Sequence, residues 1–303
     1  ALFNKLSITT QDGPPRVNYS NVQFPRMFMN NLPPQEFPNR FPNDAGYIVP
    51  LFVAVSRGIA LADIDFLLGG SILDVLANMD CGGQKYVVCN VGDTTLIIKK
   101  SEYVANYADI GYQFERLVTG GQMDGEHGIE KHESLRMVKV GDYNVLFTAD
   151  VDAVDDNSDS VEIKSGNPRY FGSKVMFQMI SSGAQTLVQA EKRGKKLLGV
   201  RERSLDSLIQ DHRRSDLRQY QDNIVRGLTE IKRAQLEGQS AQLEFQGRKQ
   251  VSNNFISNTI TKMSTQHKTA SNLHFITQML IPLADADVLP EQKVVAKLMA
   301  MAE

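Results

Sequence analysis

Apolar and polar residues change rhythm several times along the chain, and each rhythm predicts a different element. Lys85 to Asn90 and Thr94 to Lys99 are rich in Val, Ile and Thr and are separated by Val91-Gly92-Asp93, which predicts a β-hairpin. Further strands are predicted over residues 132–140, 143–152, 160–164 and 196–200. Helical spacing predicts a helix beginning near Ser71, with Ile72, Leu73, Val75 and Leu76 on one face. A second helix is capped by Ser101 and carries Val104, Tyr107, Ile110, Gly111 and Phe114. A third is predicted over Phe171 to Gln189. From Leu205 to Gln235 apolar residues step mostly at three and four, which predicts one long helical segment with a buried face. Its other face carries Arg213, Arg214, Arg218, Arg226, Lys232 and Arg233, a pattern that suits either a phosphate backbone or an ordinary solvated surface.

Eight of the eleven prolines, Pro14, Pro15, Pro25, Pro33, Pro34, Pro38, Pro42 and Pro50, crowd the first fifty residues, and residues before proline favour extended backbone. Residues 1–46 therefore read as a strap without regular structure, wrapping a surface. No repeat, low-complexity segment or linker divides the remainder, so residues 47–303 are expected to form one α+β domain, with a mixed, largely antiparallel sheet core flanked by helices.

Composition narrows the functional classes. The 303 residues are 42% hydrophobic and 22% charged, enough for a core around a recessed site. The net charge of −2 gives no global attraction to nucleic acid, so a polyanion has to be met by a local patch. No run approaches the roughly 18 apolar residues of a membrane span, and no signal pattern opens the chain. Cys81 and Cys89 are too few for a disulfide framework or a four-thiolate zinc site. An intracellular setting, nuclear and/or cytoplasmic, is the expectation.

The candidate chemistry lies in two strands. In Val145 to Asp152, strand alternation sends Phe147, Ala149 and Val151 to one face, and Asp150 and Asp152 to the other. In Ser160 to Lys164, Val161 and Ile163 share one face, and Glu162 and Lys164 the other. Between them Asp155-Asp156-Asn157-Ser158-Asp159 has a turn composition. A hairpin register centred on Asn157 sets Asp152 opposite Glu162, and Asp150 opposite Lys164. Three carboxylates so placed repel one another unless a cation sits among them, and hard oxygen ligands suit Mg²⁺ or Mn²⁺. Lys164 adds a mobile point charge for a scissile phosphate. The bland alternative is an exposed acidic hairpin with one cross-strand ion pair. His127 and His132, spaced by five, suit neither one helix face nor one strand face and read as structural or solvated.

At these residues the chain resembles the DXO family of RNA decapping exoribonucleases, whose fold is related to the PD-(D/E)xK nucleases. The family shows G-Φ-x-Φ-E, E-Φ-D and E-Φ-K in that order. Here Gly111-Tyr112-Gln113-Phe114-Glu115, Asp150-Val151-Asp152 (Asp for Glu) and Glu162-Ile163-Lys164 stand in the same order, and the likeness covers roughly residues 65–250. The resemblance implies a PD-(D/E)xK-nuclease-like core and one or two Mg²⁺ or Mn²⁺ ions on Glu115, Asp150, Asp152, Glu162 and the main-chain oxygen of Ile163. It also implies catalytic roles for Asp152, Glu162 and Lys164, with Lys164 contacting substrate. The implied substrate is an RNA 5′ end bearing a triphosphate, a cap or an NAD cap, hydrolysed as in mRNA quality control.

Two family positions differ. An arginine usually precedes the helix that begins here near Ser71, where Gly69 or Gly70 stands, so free N–H groups around Gly70 and Ser71 are the expected substitute. A family glutamine on the helix after E-Φ-K falls at Ser181, with Gln178 one turn earlier. The opposing expectation is therefore a catalytically degenerate protein that binds RNA ends or nucleotides in a regulatory or interaction role.

Overall fold

The computed structural model describes residues 14–28, 48–80, 85–100, 110–120, 132–166, 172–236, 241–244 and 280–282. Two mixed sheets with flanking helices result. The expected hairpin around Gly92 forms, and the strands expected over 132–140 and 143–152 make a second. Strands β3 (Lys85–Val91) and β4 (Thr94–Lys100) pair around Gly92-Asp93, and β5 (His132–Val140) and β6 (Tyr143–Val151) pair around Gly141-Asp142. Gly92 and Gly141 adopt φ of 58° and 60°, the left-handed backbone that a tight two-residue hairpin turn requires at its first central position. Strand β2 (Phe66–Gly69) lies between β4 and β6, parallel to both. Its Phe66-Leu67-Leu68 run is buried on both faces, as an interior parallel strand demands.

The second sheet has the order β1-β10-β9-β8-β7, with β1 at Arg26–Met27, β7 at Ala153–Val154, β8 at Ser160–Lys164, β9 at Thr186–Arg193 and β10 at Lys196–Ser204. Strands β8 and β9 are parallel and the other pairs of this sheet antiparallel. Short strands β11 (Ala241–Glu244) and β12 (Leu280–Pro282) extend the first sheet beyond β3.

Helix α1 (Val49–Ser56) packs Leu51, Phe52 and Ala54 on one face of the first sheet, against Leu67, Leu96 and Leu146. Helices α2 (Ile72–Asn78), α4 (Gly172–Ser182), α5 (Leu205–Gln210) and α6 (Arg214–Leu236) share a core with the opposite face, through Phe66, Leu68, Val145 and Phe147, and with Leu187 of β9. Helix α3 (Ile110–Val118) lays Phe114, Leu117 and Val118 on Val161, Ile163 and Val188, the outer face of the second sheet.

Residues 14–28 give the expected strap its course. Arg16 bridges Val154 at one edge of the second sheet, Arg26–Met27 pairs with β10 at the other, and Val17, Tyr19, Val22 and Phe24 cover the apolar face between. The remainder of the strap lies outside the described residues, as do Cys81, His127 and the helix expected to open at Ser101 before Ile110.

Two expectations are corrected. The apolar run over Phe171–Gln189 is helical only to Ser182. Gly183, at φ 84°, ends the helix, and Thr186 to Arg193 forms β9. The segment 205–235 is two helices: Ser204 caps α5 by accepting from the Ser207 N–H at 3.1 Å, and the chain breaks at Asp211, which Arg203 holds at 2.6 Å, before α6 begins. No described helix is long and apolar enough to cross a membrane.

Candidate metal centre

The centre lies where the chain leaves one sheet for the other. Strand β6 ends at Val151 in the first sheet, β7 begins at Ala153 in the second, and Asp152 stands between them. The β7–β8 ladder pairs Ala153 with Val161 and Val154 with Ser160, the register centred on Asn157. Asp155 fixes that turn by accepting from the N–H groups of Asn157 and Asp159 at 2.9 Å, and Arg16 donates to the Asp155 carbonyl at 2.7 Å. The expected pairing of Asp150 with Lys164 is absent from the ladder, because β6 has already departed into the other sheet by Asp150.

Asp152 turns back onto β8: its Oδ2 accepts from the Ile163 N–H at 2.8 Å. The Lys164 ammonium donates to Asp152 Oδ2 at 3.4 Å and to the Ile163 carbonyl at 3.2 Å, and forms a close ion pair with Glu162 Oε1. The side chains of Asp152, Glu162 and Lys164 are 17%, 5% and 25% exposed, so the group is largely buried yet reached by solvent. Glu115, on α3, and Asp150 complete the electrostatic neighbourhood.

Among the described residues, Glu115, Asp150, Asp152 and Glu162 bring four carboxylates into the electrostatic neighbourhood of the Lys164 ammonium. Burial, reinforced by Asp152, pushes the Glu115 carboxyl up to about 8. Burial also raises Glu162, to about 7, against the opposing pull of Lys164. Burial alone would lower the Lys164 ammonium, but Asp152 and Glu162 outweigh it and raise its pKa.

This donor set fits a hard cation. The three oxygens around the ammonium, from Asp152, Glu162 and the Ile163 main chain, are hard ligands of the kind Mg²⁺ and Mn²⁺ take, and a divalent ion would offset the repulsion between the two carboxylates. The cage is not preassembled: among the described residues no three His, Cys, Asp or Glu side chains already form a coordination shell. The Lys164 ammonium occupies the space between these oxygens.

The expected substrate positions lie around this centre unevenly. Gly70 abuts β6 just before Asp150, and a Cβ there would come within 3.0 Å of the Ala149 Cβ. Ser181 is fully buried, its hydroxyl 3.1 Å from the Gly70 carbonyl and 2.9 Å from the Phe177 carbonyl. Of the two glycines at the arginine position, Gly70 therefore meets Ser181, whereas a Cβ on Gly69 would meet open space. Ser71 precedes α2 without a side-chain cap, and α2 itself is only seven residues long.

Gln178 lies on α4 with its Oε1 buried and unpartnered among the described residues. Gln189 shares that condition, and no sequence expectation placed it here. Parallel pairing of β8 with β9 sets it directly beside Lys164 on the same face. A glutamine inside the apolar run Leu187-Val188-Gln189-Ala190 was the available signal, since buried amides normally find partners.

No protein-family model and no curated protein sequence matches the chain. Solved structures do. S. pombe Rai1 in complex with 3′-FADP matches at TM-score 0.56 and 16% identity, over 74% of this chain and 84% of that one. Scheffersomyces stipitis Rai1 matches at TM-score 0.56 and 11% identity, over 78% and 81%. Candida albicans Rai1 in complex with pU5-Mn²⁺ matches at TM-score 0.50 and 12% identity, over 70% and 74%. The fold of this chain, two mixed sheets with flanking helices, is thus the fold of the Rai1 structures.

Proposed function

We propose that the protein is a divalent-metal-dependent hydrolase of RNA 5′ ends, acting on a triphosphate, a cap or an NAD cap. The observation that carries this reading is the ammonium of Lys164 resting on Asp152, Glu162 and the Ile163 carbonyl, oxygens that suit a divalent cation. Glu115 and Asp150 would join them as ligands. When bound, the ion supplies Lewis-acid polarisation and lowers the pKa of water. The likeness of fold to a Rai1 solved with pU5 and Mn²⁺ supports the same choice of substrate and metal.

The chain's own groups divide the work. Asp152 and Glu162 hold the metal, and Asp152 also fixes the backbone at the Ile163 N–H. Lys164, displaced from the carboxylates, reaches a phosphate oxygen and offsets the charge that develops as the phosphorus–oxygen bond breaks. Gln189 and Gln178 offer buried acceptors for sugar hydroxyl or base N–H donors. Gly70 and Ser71 line the approach beside Asp150, and Ser181 positions Gly70 through its carbonyl.

One observation favours a second reading. Ser181 and Ala149 close against Gly70, one of the two glycines at the position where the resemblance puts an arginine clamp; loss of that clamp weakens the grip on phosphate and suits a protein that binds RNA ends or nucleotides without turnover. Incubating 5′-triphosphate, capped and NAD-capped RNA with Mn²⁺ separates the two. Product above an Asp152→Ala control supports the hydrolase; retained metal and RNA binding without product supports the binding protein.

A further inference from the structure

The β9–β10 hairpin carries charge that the centre does not use. Alternation along β9 puts Leu187, Gln189, Glu191 and Arg193 on the face that bears Lys164. Across the ladder, Arg201 stands opposite Gln189, Gly199 opposite Glu191, and Lys196 opposite Arg193. Moving outward from the centre, the same face therefore runs from Lys164, Gln189 and Arg201 to an exposed pair of cations at the hairpin tip. Gln189 and Arg193 are four residue steps apart, roughly 13 Å of strand.

Three features of this tip ask for a ligand. Arg193 and Lys196 are directly opposed like charges, an arrangement that destabilises a hairpin unless something else uses it. Both are exposed, and no ion pair engages either among the described residues. Beside them Met27, register partner of Lys196, is 61% exposed, and Leu198, in the bulge of β10, is 50% exposed. Cations with exposed apolar neighbours match the two surfaces of a single-stranded nucleic acid, its phosphates and its base faces. Glu191 is the one acid on this stretch, and its carboxylate lies over Gly199.

We infer that Arg193 and Lys196 hold the phosphates of an RNA strand as it leaves the carboxylate–lysine centre, so that the hairpin tip sets how much of the strand beyond its 5′ end contributes to binding. This rests on the 5′-end reading above. The test compares a 5′-phosphorylated dinucleotide with an RNA of about ten nucleotides, by fluorescence anisotropy over a salt series with Ca²⁺ present.

The longer RNA is expected to bind more tightly than the dinucleotide. Arg193→Glu with Lys196→Glu should remove most of that gain, on the order of tenfold, and lower the salt-dependence slope by about 1.4, two single-strand phosphate contacts. Its binding of the dinucleotide should be unchanged. Because charges of one sign replace charges of one sign, the hairpin's stability should not fall, which a melting curve checks. Glu191→Gln is expected to tighten the longer RNA only.

Dinucleotide binding with no gain for the longer RNA would overturn the hairpin's role alone. Absence of binding to either RNA would overturn the reading of the centre and this inference with it. Equal losses from Arg214→Glu with Arg218→Glu on α6, or equal competition by a polyglutamate peptide, would also overturn it, because the effect would then be general charge or an acidic protein ligand.

Discussion

Lys164 reaches across the sheet junction to Asp152, its ammonium 3.4 Å from Oδ2, on the carboxylate that also holds the Ile163 N–H. Asp152 lies in neither sheet, so this contact joins β6 to β8 exactly where the ladder pairing has yet to begin. At the proposed metal centre a cation would compete with this ammonium for the same oxygens. Lys164→Met is therefore expected to tighten Mn²⁺ binding, about tenfold for ~1.4 kcal/mol of relieved competition, while lowering turnover of 5′-triphosphate RNA by roughly two orders of magnitude. Calorimetry and a product assay read the two effects. Weaker metal binding in the variant would show that Lys164 supports the site rather than occupying it.

The burial of Glu115 and Glu162 beside other carboxylates predicts a pH response. The folded-state pKa values of Glu115 and Glu162, about 8 and about 7, lie above ordinary carboxylate values, so between pH 5 and pH 8 the folded protein holds more protons than the unfolded chain. Stability of the metal-free protein should then fall as pH rises through this window, by several degrees in Tm, on the order of the usual conversion. Mn²⁺ should reverse the trend by favouring the ionised carboxylates and releasing their protons. A metal-free Tm that is flat or rising from pH 5 to pH 8 would contradict the crowding of these carboxylates.

At Gly70 the expected cost is steric. Gly70→Ala puts a Cβ 3.0 Å from the Ala149 Cβ, backbone-anchored on both sides, and should destabilise by about 1–3 kcal/mol in urea. Restoring a phosphate clamp by Gly70→Arg should fail for the same reason. A stable Gly70→Arg variant with increased turnover would mean the corner is looser than its packing with Ser181 implies.

Gln189 separates stability from binding. Its Oε1 is buried without a partner among the described residues, so Gln189→Leu removes an unsatisfied group and should leave Tm unchanged or higher. The same change should raise KM for capped RNA severalfold with a smaller effect on kcat. A large loss of stability with unchanged KM would make Gln189 structural.

What could be read from residues alone followed the range of the interactions. The turn at Asn157, the alternation of Asp150 with Asp152 and of Glu162 with Lys164, and the hairpins around Gly92 and Gly141 are local, and their residues announce them. The departure of the chain from one sheet to the other at Asp152 has no local signature, so the pairing of Asp150 with Lys164 was misjudged. The parallel pairing of β8 with β9 joins residues 25 positions apart, Lys164 and Gln189, which no periodicity reveals. The strand after Gly183 offers only Leu187, Val188 and Ala190 as apolar positions, too short a run to tell an interior strand from the end of the preceding helix.

The central claim is that Asp152, Glu162 and the Ile163 carbonyl hold a divalent cation once Lys164 moves off them. Mn²⁺ titration by isothermal calorimetry tests it most directly, on the natural chain and on Asp152→Ala. Saturable binding in the natural chain that disappears in Asp152→Ala is the predicted result; no saturable binding, or binding of equal strength in both, would contradict it.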